Sequence, residues 1–119
     1  MSESSTIVDL PPAPPHLAND PVLRRIKRDL VGMYGPRLAG VVLYGSRARG
    51  DSRPDSDVDL LVLLKGQIDW SEERWRLAEL AADVGLDTDE APSFLLDTED
   101  ALERRTIFIH NVREDGVLL

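Results

Sequence analysis

Apolar residues fall into two kinds of run along this chain. Val22, Leu23, Ile26, Leu30 and Met33 recur at helical spacing, with Arg24, Arg25, Lys27 and Arg28 on the other side, and that period predicts an amphipathic helix. Asn19 or Asp20 can cap its start, Pro21 suits its first turn, and Gly35-Pro36 ends it. The basic side reads first as a wet helix face. Leu38 to Tyr44 and Asp57 to Leu64 are different. Val41, Val42 and Leu43 sit together in the first, and Leu60, Leu61, Val62, Leu63 and Leu64 run without interruption in the second. Both predict strands, and a run with no polar alternation predicts burial on both faces. Lys65-Gly66 stops the second.

Asp69-Trp70-Ser71-Glu72 has the form of a capping box with Asp in the cap position. The helix it opens carries Trp75, Leu77, Ala78, Leu80, Ala81 and Val84, read as its core side, and Gly85 ends it. A third strand falls within Leu86 to Leu96, where Pro92 marks an edge or a bulge. Asp97 or Thr98 then caps a last helix to about Glu114, with Leu102, Ile109 and Val112 inward. The β-prone run Thr106-Ile107-Phe108-Ile109 weakens that assignment. Gly116 closes the helix, and Val117-Leu118-Leu119 adds a short terminal strand.

Residues 1–18 hold Pro11-Pro12-Ala13-Pro14-Pro15, which predicts a flexible, polyproline-like arm ahead of one domain over residues 19–119. The 119 residues suffice for a single core. No cysteine is present, which excludes disulfides and cysteine-based zinc sites. No apolar run approaches the roughly 20 residues that cross a bilayer, and the polar, acidic start does not read as a signal peptide. The expected location is the cytoplasm, with no membrane partner. With 22 acidic against 14 basic residues the formal charge is −8, which disfavours direct coating of nucleic acid.

The chemistry gathers between the two strong strands. Leu43-Tyr44-Gly45-Ser46-Arg47-Ala48-Arg49-Gly50 reads as strand, glycine turn and short helix, and Asp57-Val58-Asp59 opens the next strand. Gly45 lets backbone approach an anion because it has no side chain. Ser46 would begin the helix, and Arg47 and Arg49 add positive charge. Asp57 and Asp59, two apart in extended chain, leave the same face with Cα atoms about 7 Å apart. That separation lets two carboxylates converge on one or two Mg²⁺ ions, as two-metal phosphoryl transfer requires. A Gly-Ser turn alone is common, and Asp-x-Asp alone is usually a solvated strand start. A calcium loop beginning at Asp55 fails, because its sixth and twelfth positions are Leu60 and Gly66 instead of Gly and Glu. Together, the turn and the carboxylate pair are far more specific than either. Two ordinary features read as background: Trp75 as core, and His16 and His110 as residues without chemistry.

Gly45-Ser46-Arg47-Ala48-Arg49-Gly50 followed by Ser56-Asp57-Val58-Asp59-Leu60 resembles, almost letter for letter, the motif of the minimal nucleotidyltransferases, small relatives of DNA polymerase β. More loosely the resemblance runs from about Pro21 to the C-terminus. It implies an α/β (α+β) domain, a small mixed β-sheet flanked by helices in the polymerase β-like nucleotidyltransferase fold. It implies that Asp57 and Asp59 bind Mg²⁺, that Gly45 and Ser46 hold the triphosphate of ATP, and that Arg47 and Arg49 assist. It also implies a third catalytic, metal-binding carboxylate on the next strand. Asp89 is the expected residue and Asp87 the alternative, both from Asp87-Thr88-Asp89-Glu90-Ala91-Pro92. The activity implied is transfer of AMP from ATP to an acceptor hydroxyl. Stand-alone chains of this kind resemble the antitoxins of HEPN/MNT toxin–antitoxin systems, which silence a HEPN-type RNase toxin by adenylylating a tyrosine. Two rival expectations are a nucleotide-binding but idle antitoxin that acts by covering its partner, and one subunit of an enzyme that modifies a small hydroxylated molecule.

Overall fold

Among the described residues, four strands make one mixed sheet in the order β3-β2-β1-β4. They are β1 (Leu38–Tyr44), β2 (Val58–Leu64), β3 (Pro92–Thr98) and β4 (Val117–Leu118), with helices α1 (Pro15–Ala18), α2 (Pro21–Tyr34), α3 (Ser46–Arg49), α4 (Trp70–Thr88) and α5 (Ile107–Asp115). This computed structural model describes residues 10–50 and 57–119; the earlier part of the predicted arm, and Ser56 of the motif, lie outside the described residues.

β1 runs antiparallel to both β2 and β4, whereas β2 and β3 are parallel. A parallel pair needs a long crossover, and α4 supplies it. The unbroken apolar run of β2 is explained by cover on both faces. Val58, Leu60, Val62 and Leu64 pack with Ile26 and Leu30 of α2 and Leu77 and Val84 of α4. Leu61 and Leu63, pointing the other way, pack with Leu102, Ile109 and Val112. The sheet therefore has a double-helix face and an α5 face, and odd-numbered residues of β2 belong to the α5 face.

Local signals act as expected at several ends. The Asp20 carboxylate accepts from the Val22 and Leu23 amides at 2.9 and 3.1 Å, which starts α2. That of Asp69 accepts from the Glu72 amide at 3.1 Å, which starts α4.

Five expectations are corrected. Helix α4 continues through Gly85 to Thr88, because a helical glycine costs only about 1 kcal/mol and this one packs against Ala91. The third strand consequently begins at Pro92 and extends to Thr98. The last helix starts at Ile107, where the Thr106 hydroxyl caps the Ile109 amide at 3.1 Å, and Asp97 and Thr98 belong to β3. Trp75 is 69% exposed, since Glu73, Leu77, Leu80 and Val84 form the buried side of α4. Finally, residues 10–18 are not a free arm: Leu10 and Leu17 are buried, and Pro12 bridges to Leu118, with the Ala13 amide donating to the Leu118 carbonyl at 2.7 Å. The prolines have few amides to satisfy, so a strap along the sheet edge suits them.

Candidate functional site

Strand register decides what surrounds the Asp-x-Asp pair. Tyr44, the last residue of β1, lies opposite Asp59 in the antiparallel ladder, so both side chains stand on the α5 face. The chain then turns at Gly45, with φ 79° and ψ −159°, into the four-residue helix α3. That backbone region is open essentially to glycine alone. There is a second reason for glycine. A Cβ at this position would stand 2.8 Å from Oδ2 of Asp59, closer than nonbonded atoms tolerate. The Gly45 backbone and the Asp59 carboxylate are therefore in direct apposition, and the turn and the carboxylate pair form one site.

Asp57 is exposed and Asp59 half-buried. Burial, and secondly the negative charge of Asp57, push the Asp59 carboxyl above the usual carboxylate range. Two like charges held close at partial burial make a site that favours a cation. Burial, and then the Asp59 charge, push the Tyr44 phenol up to about 12, so it remains a neutral hydroxyl at physiological pH. Phe108 of α5 meets the Tyr44 ring edge-on, with centroids 5.5 Å apart.

The remaining predicted residues divide. Ser46 occupies the first position of α3. Arg47, 13% exposed, is held by Glu90 through an ion pair of 2.5 Å, and Arg49 reaches Asp115 of α5 at 3.2 Å. Asp89 is not brought to the carboxylate pair. It caps the C-terminus of α4 in the left-handed conformation, φ 63°, with its amide bonded to the Gly85 carbonyl at 3.0 Å. Asp87 is turned away as well, toward Arg25 of α2 at 2.8 Å. The β3 residue beside Asp59 in the parallel register is Ser93. Among the described residues no cluster of three or more His, Cys, Asp or Glu can hold a metal ion. The expected third carboxylate fails because α4 runs three residues past Gly85, which keeps Asp87 and Asp89 on the helix end and leaves a serine at the strand position.

Sequence reasoning passed over Glu90, the one acid of the Asp87-to-Pro92 segment that engages the site. Its place was readable only from the parallel pairing of β2 with β3, which sets the start of β3 beside the start of β2.

A family model described as polymerase beta, nucleotidyltransferase, matches residues 33–119. The chain belongs to this nucleotidyltransferase family. A Methanocaldococcus jannaschii protein named for protein adenylyltransferase activity is 30% identical over 96 residues, which are 81% of this chain and 93% of that one. Among solved structures, a toxin–antitoxin with AMP-PNP superimposes with a TM-score of 0.57 at 24% identity, over 83% of this chain and 72% of the other. A mutant of the toxin–antitoxin MntA–HpeT gives 0.55 at 21%, over 79% and 69%. At these identities the structural likeness speaks for the fold, the mixed sheet with flanking helices expected of polymerase β-like nucleotidyltransferases. The chain is accordingly a nucleotidyltransferase.

Proposed function

We propose that this nucleotidyltransferase is Mg²⁺-dependent and transfers AMP from ATP to a tyrosine hydroxyl of a partner protein, a HEPN-type RNase toxin, acting as its cytoplasmic antitoxin. One observation carries the reading: the side-chain-free turn at Gly45 lies against Asp59, so an anion over the turn and a cation at the carboxylates would be neighbours. The likeness to the M. jannaschii protein supports protein as the acceptor class, and the toxin–antitoxin neighbours support the kind of partner.

In this reading Asp57 and Asp59 hold Mg²⁺. Their hard oxygens suit it, and the ion's remaining positions suit water and substrate phosphate oxygens. When bound, the ion would supply neutralisation of charge on the phosphates. The backbone at Gly45 and the Ser46 hydroxyl receive the triphosphate, and Arg47 and Arg49 add positive charge to its surroundings. The acceptor oxygen attacks the α-phosphorus and the bond to the bridging oxygen breaks. Pyrophosphate leaves, and the hydroxyl proton passes to solvent. Among the described residues no side chain stands out as its acceptor.

A second reading has specific support. Ser93 occupies the strand position beside Asp59 where the family resemblance implies an acid, which favours a nucleotide-binding antitoxin that works by complex formation. The test is intact mass of the chain and of the toxin encoded beside it, after incubation with Mg-ATP, for wild type and Asp59→Asn. AMP-sized increments on the toxin with wild type alone are expected, with a rate loss of orders of magnitude in the variant. An unmodified toxin that co-purifies equally with both would refute transfer and leave complex formation.

A further inference from the structure

The turn at Gly45 and Ser46 leads into α3, yet packing does little to hold α3 in place. The helix has four residues and buries none of them, and its one apolar residue, Ala48, only partly meets the core. A single helical turn is not stable by itself. Two backbone bonds close it, from the Arg49 amide to the Gly45 carbonyl at 3.1 Å and from the Gly50 amide to the Ser46 carbonyl at 3.0 Å. Ion pairs fasten it from two sides. Arg47 meets Glu90, just ahead of β3, at 2.5 Å, and Arg49 meets Asp115, the last residue of α5, at 3.2 Å. These partners lie 43 and 66 positions away along the chain.

The Glu90 side is the firmer. The Arg47 and Glu90 side chains are 13% and 30% exposed, against 45% and 28% for Arg49 and Asp115, and water weakens a pair that it reaches. Arg49 also has a further contact besides Asp115, so it does not depend on that acid alone. Glu90 is fixed from behind. The Thr88 hydroxyl donates to the Val84 carbonyl at 2.7 Å and accepts from the Glu90 amide at 3.2 Å. Two residues further on, Pro92 pairs with Val58 of β2, so Glu90 stands at the end of the sheet where the carboxylates lie.

We propose that Glu90 is a positioning residue for the phosphate-receiving turn, acting through Arg47: the pair is a strut that keeps Gly45 and Ser46 beside Asp59. This rests on the reading of Gly45, Ser46 and Asp59 as the Mg-nucleotide site. The need for a strut follows from the apposition of Gly45 and Asp59, which is too close to admit even a methyl group. A small swing of α3 would part the two halves of the site. A strand start is a rigid reference point, because β3 is bonded along its length to β2, the strand that carries Asp59. One strand pair thus sets both halves: β2 holds the carboxylate, and β3, through Glu90 and Arg47, holds the turn. The Arg47 charge is already matched by Glu90, so its value lies in where it anchors α3 more than in the field it offers a phosphate.

Two measurements test this. The first is amide hydrogen exchange by NMR on the whole chain, free of metal and nucleotide. Glu90→Gln should speed exchange at Arg49 and Gly50 about tenfold, the value of one charge-assisted hydrogen bond, while β1 and β2 amides keep wild-type rates. Asp115→Asn should speed it less. The second is calorimetric titration with Mg-ATP of Glu90→Gln, Arg47→Met and the double variant. Each single change should weaken binding about tenfold, and the double no further, because removing one end of a strut already removes it. Unchanged exchange at Arg49 and Gly50 in Glu90→Gln, or faster exchange spread equally over the sheet, overturns the proposal. So does a Glu90→Gln chain that binds Mg-ATP as tightly as wild type or more tightly, which would make Arg47 a direct phosphate ligand and Glu90 its competitor. A wild-type chain that binds no Mg-ATP would sink the nucleotide reading instead, and the exchange measurement would still decide the strut.

Discussion

Replacing Gly45 by alanine tests the coupling of turn and carboxylates most directly. Two costs are built into the position. At φ 79° and ψ −159° a residue with a Cβ is strained by about 1–3 kcal/mol. The new methyl would also sit 2.8 Å from Oδ2 of Asp59, and the carboxylate must swing aside. For a domain of this size each kcal/mol lowers the melting midpoint by about 4 °C, so Gly45→Ala should melt about 4–12 °C lower. Displacing Asp59 should also weaken Mg-nucleotide binding. Gly50→Ala is the control. It has φ 83° but no neighbour within 4 Å of the added Cβ, so it should pay about 1–2 kcal/mol of strain without affecting the site through Asp59. Calorimetry gives the melting change and isothermal titration with Mg-ATP gives the affinity. If Gly45→Ala binds Mg-ATP as wild type does, or if both variants lose binding equally, the apposition of Gly45 and Asp59 has no functional consequence and the reasoning fails.

Four further outcomes follow from the same geometry. Because Asp59 titrates above the usual range and a metal needs its charged form, Mg²⁺ affinity should begin to fall, as pH is lowered, before an ordinary aspartate would protonate; in metal-free protein the sign reverses, the Asp59 contribution to stability being full below its unfolded pKa and lost as pH rises through the folded one. Asp57→Asn should bring the carbon-13-detected Asp59 titration only part-way back, since burial is the larger cause. Ser93→Asp should add a third carboxylate beside Asp59, lowering the metal-free melting midpoint by repulsion and tightening Mg²⁺ binding about tenfold; unchanged Mg²⁺ affinity in calorimetric titration would show that the β3 position does not face the metal. Asp89→Gly should raise the melting midpoint, because it relieves a φ of 63° at a helix end worth about 1 kcal/mol, and should leave Mg-ATP binding intact, whereas a loss of binding would restore Asp89 as a ligand.

How much of this was legible beforehand can be argued residue by residue. The β2 run reads as a strand covered on both faces because five consecutive apolar side chains must all be hidden, whatever covers them. Asp20 and Asp69 announce helix starts because a cap is a bond to an amide two or three residues away. The motif itself is local too: Gly45 and Ser46 form one turn, and the spacing of Asp57 and Asp59 fixes their common face. Short-range interactions of this kind are complete within a few residues, so the sequence by itself determined them, along with the fold class.

What the tertiary structure decided depends on partners far away in the chain. Whether Asp89, Asp87 or Glu90 approaches the site turns on where α4 stops and how β3 registers with β2, and Glu90 emerges as the residue that holds Arg47 across 43 positions. Ser93 comes to stand beside Asp59 only through that parallel pairing. The proline-rich stretch becomes a strap because Leu10 and Leu17 find pockets and Leu118 offers a bridging backbone, none of which its composition contains. The same holds for charge: a net value of −8 says nothing of which acids hold Arg47 and Arg49. Long-range pairing is set by which surfaces fit together once the chain has collapsed, and a single sequence records the residues of those surfaces but not their mates.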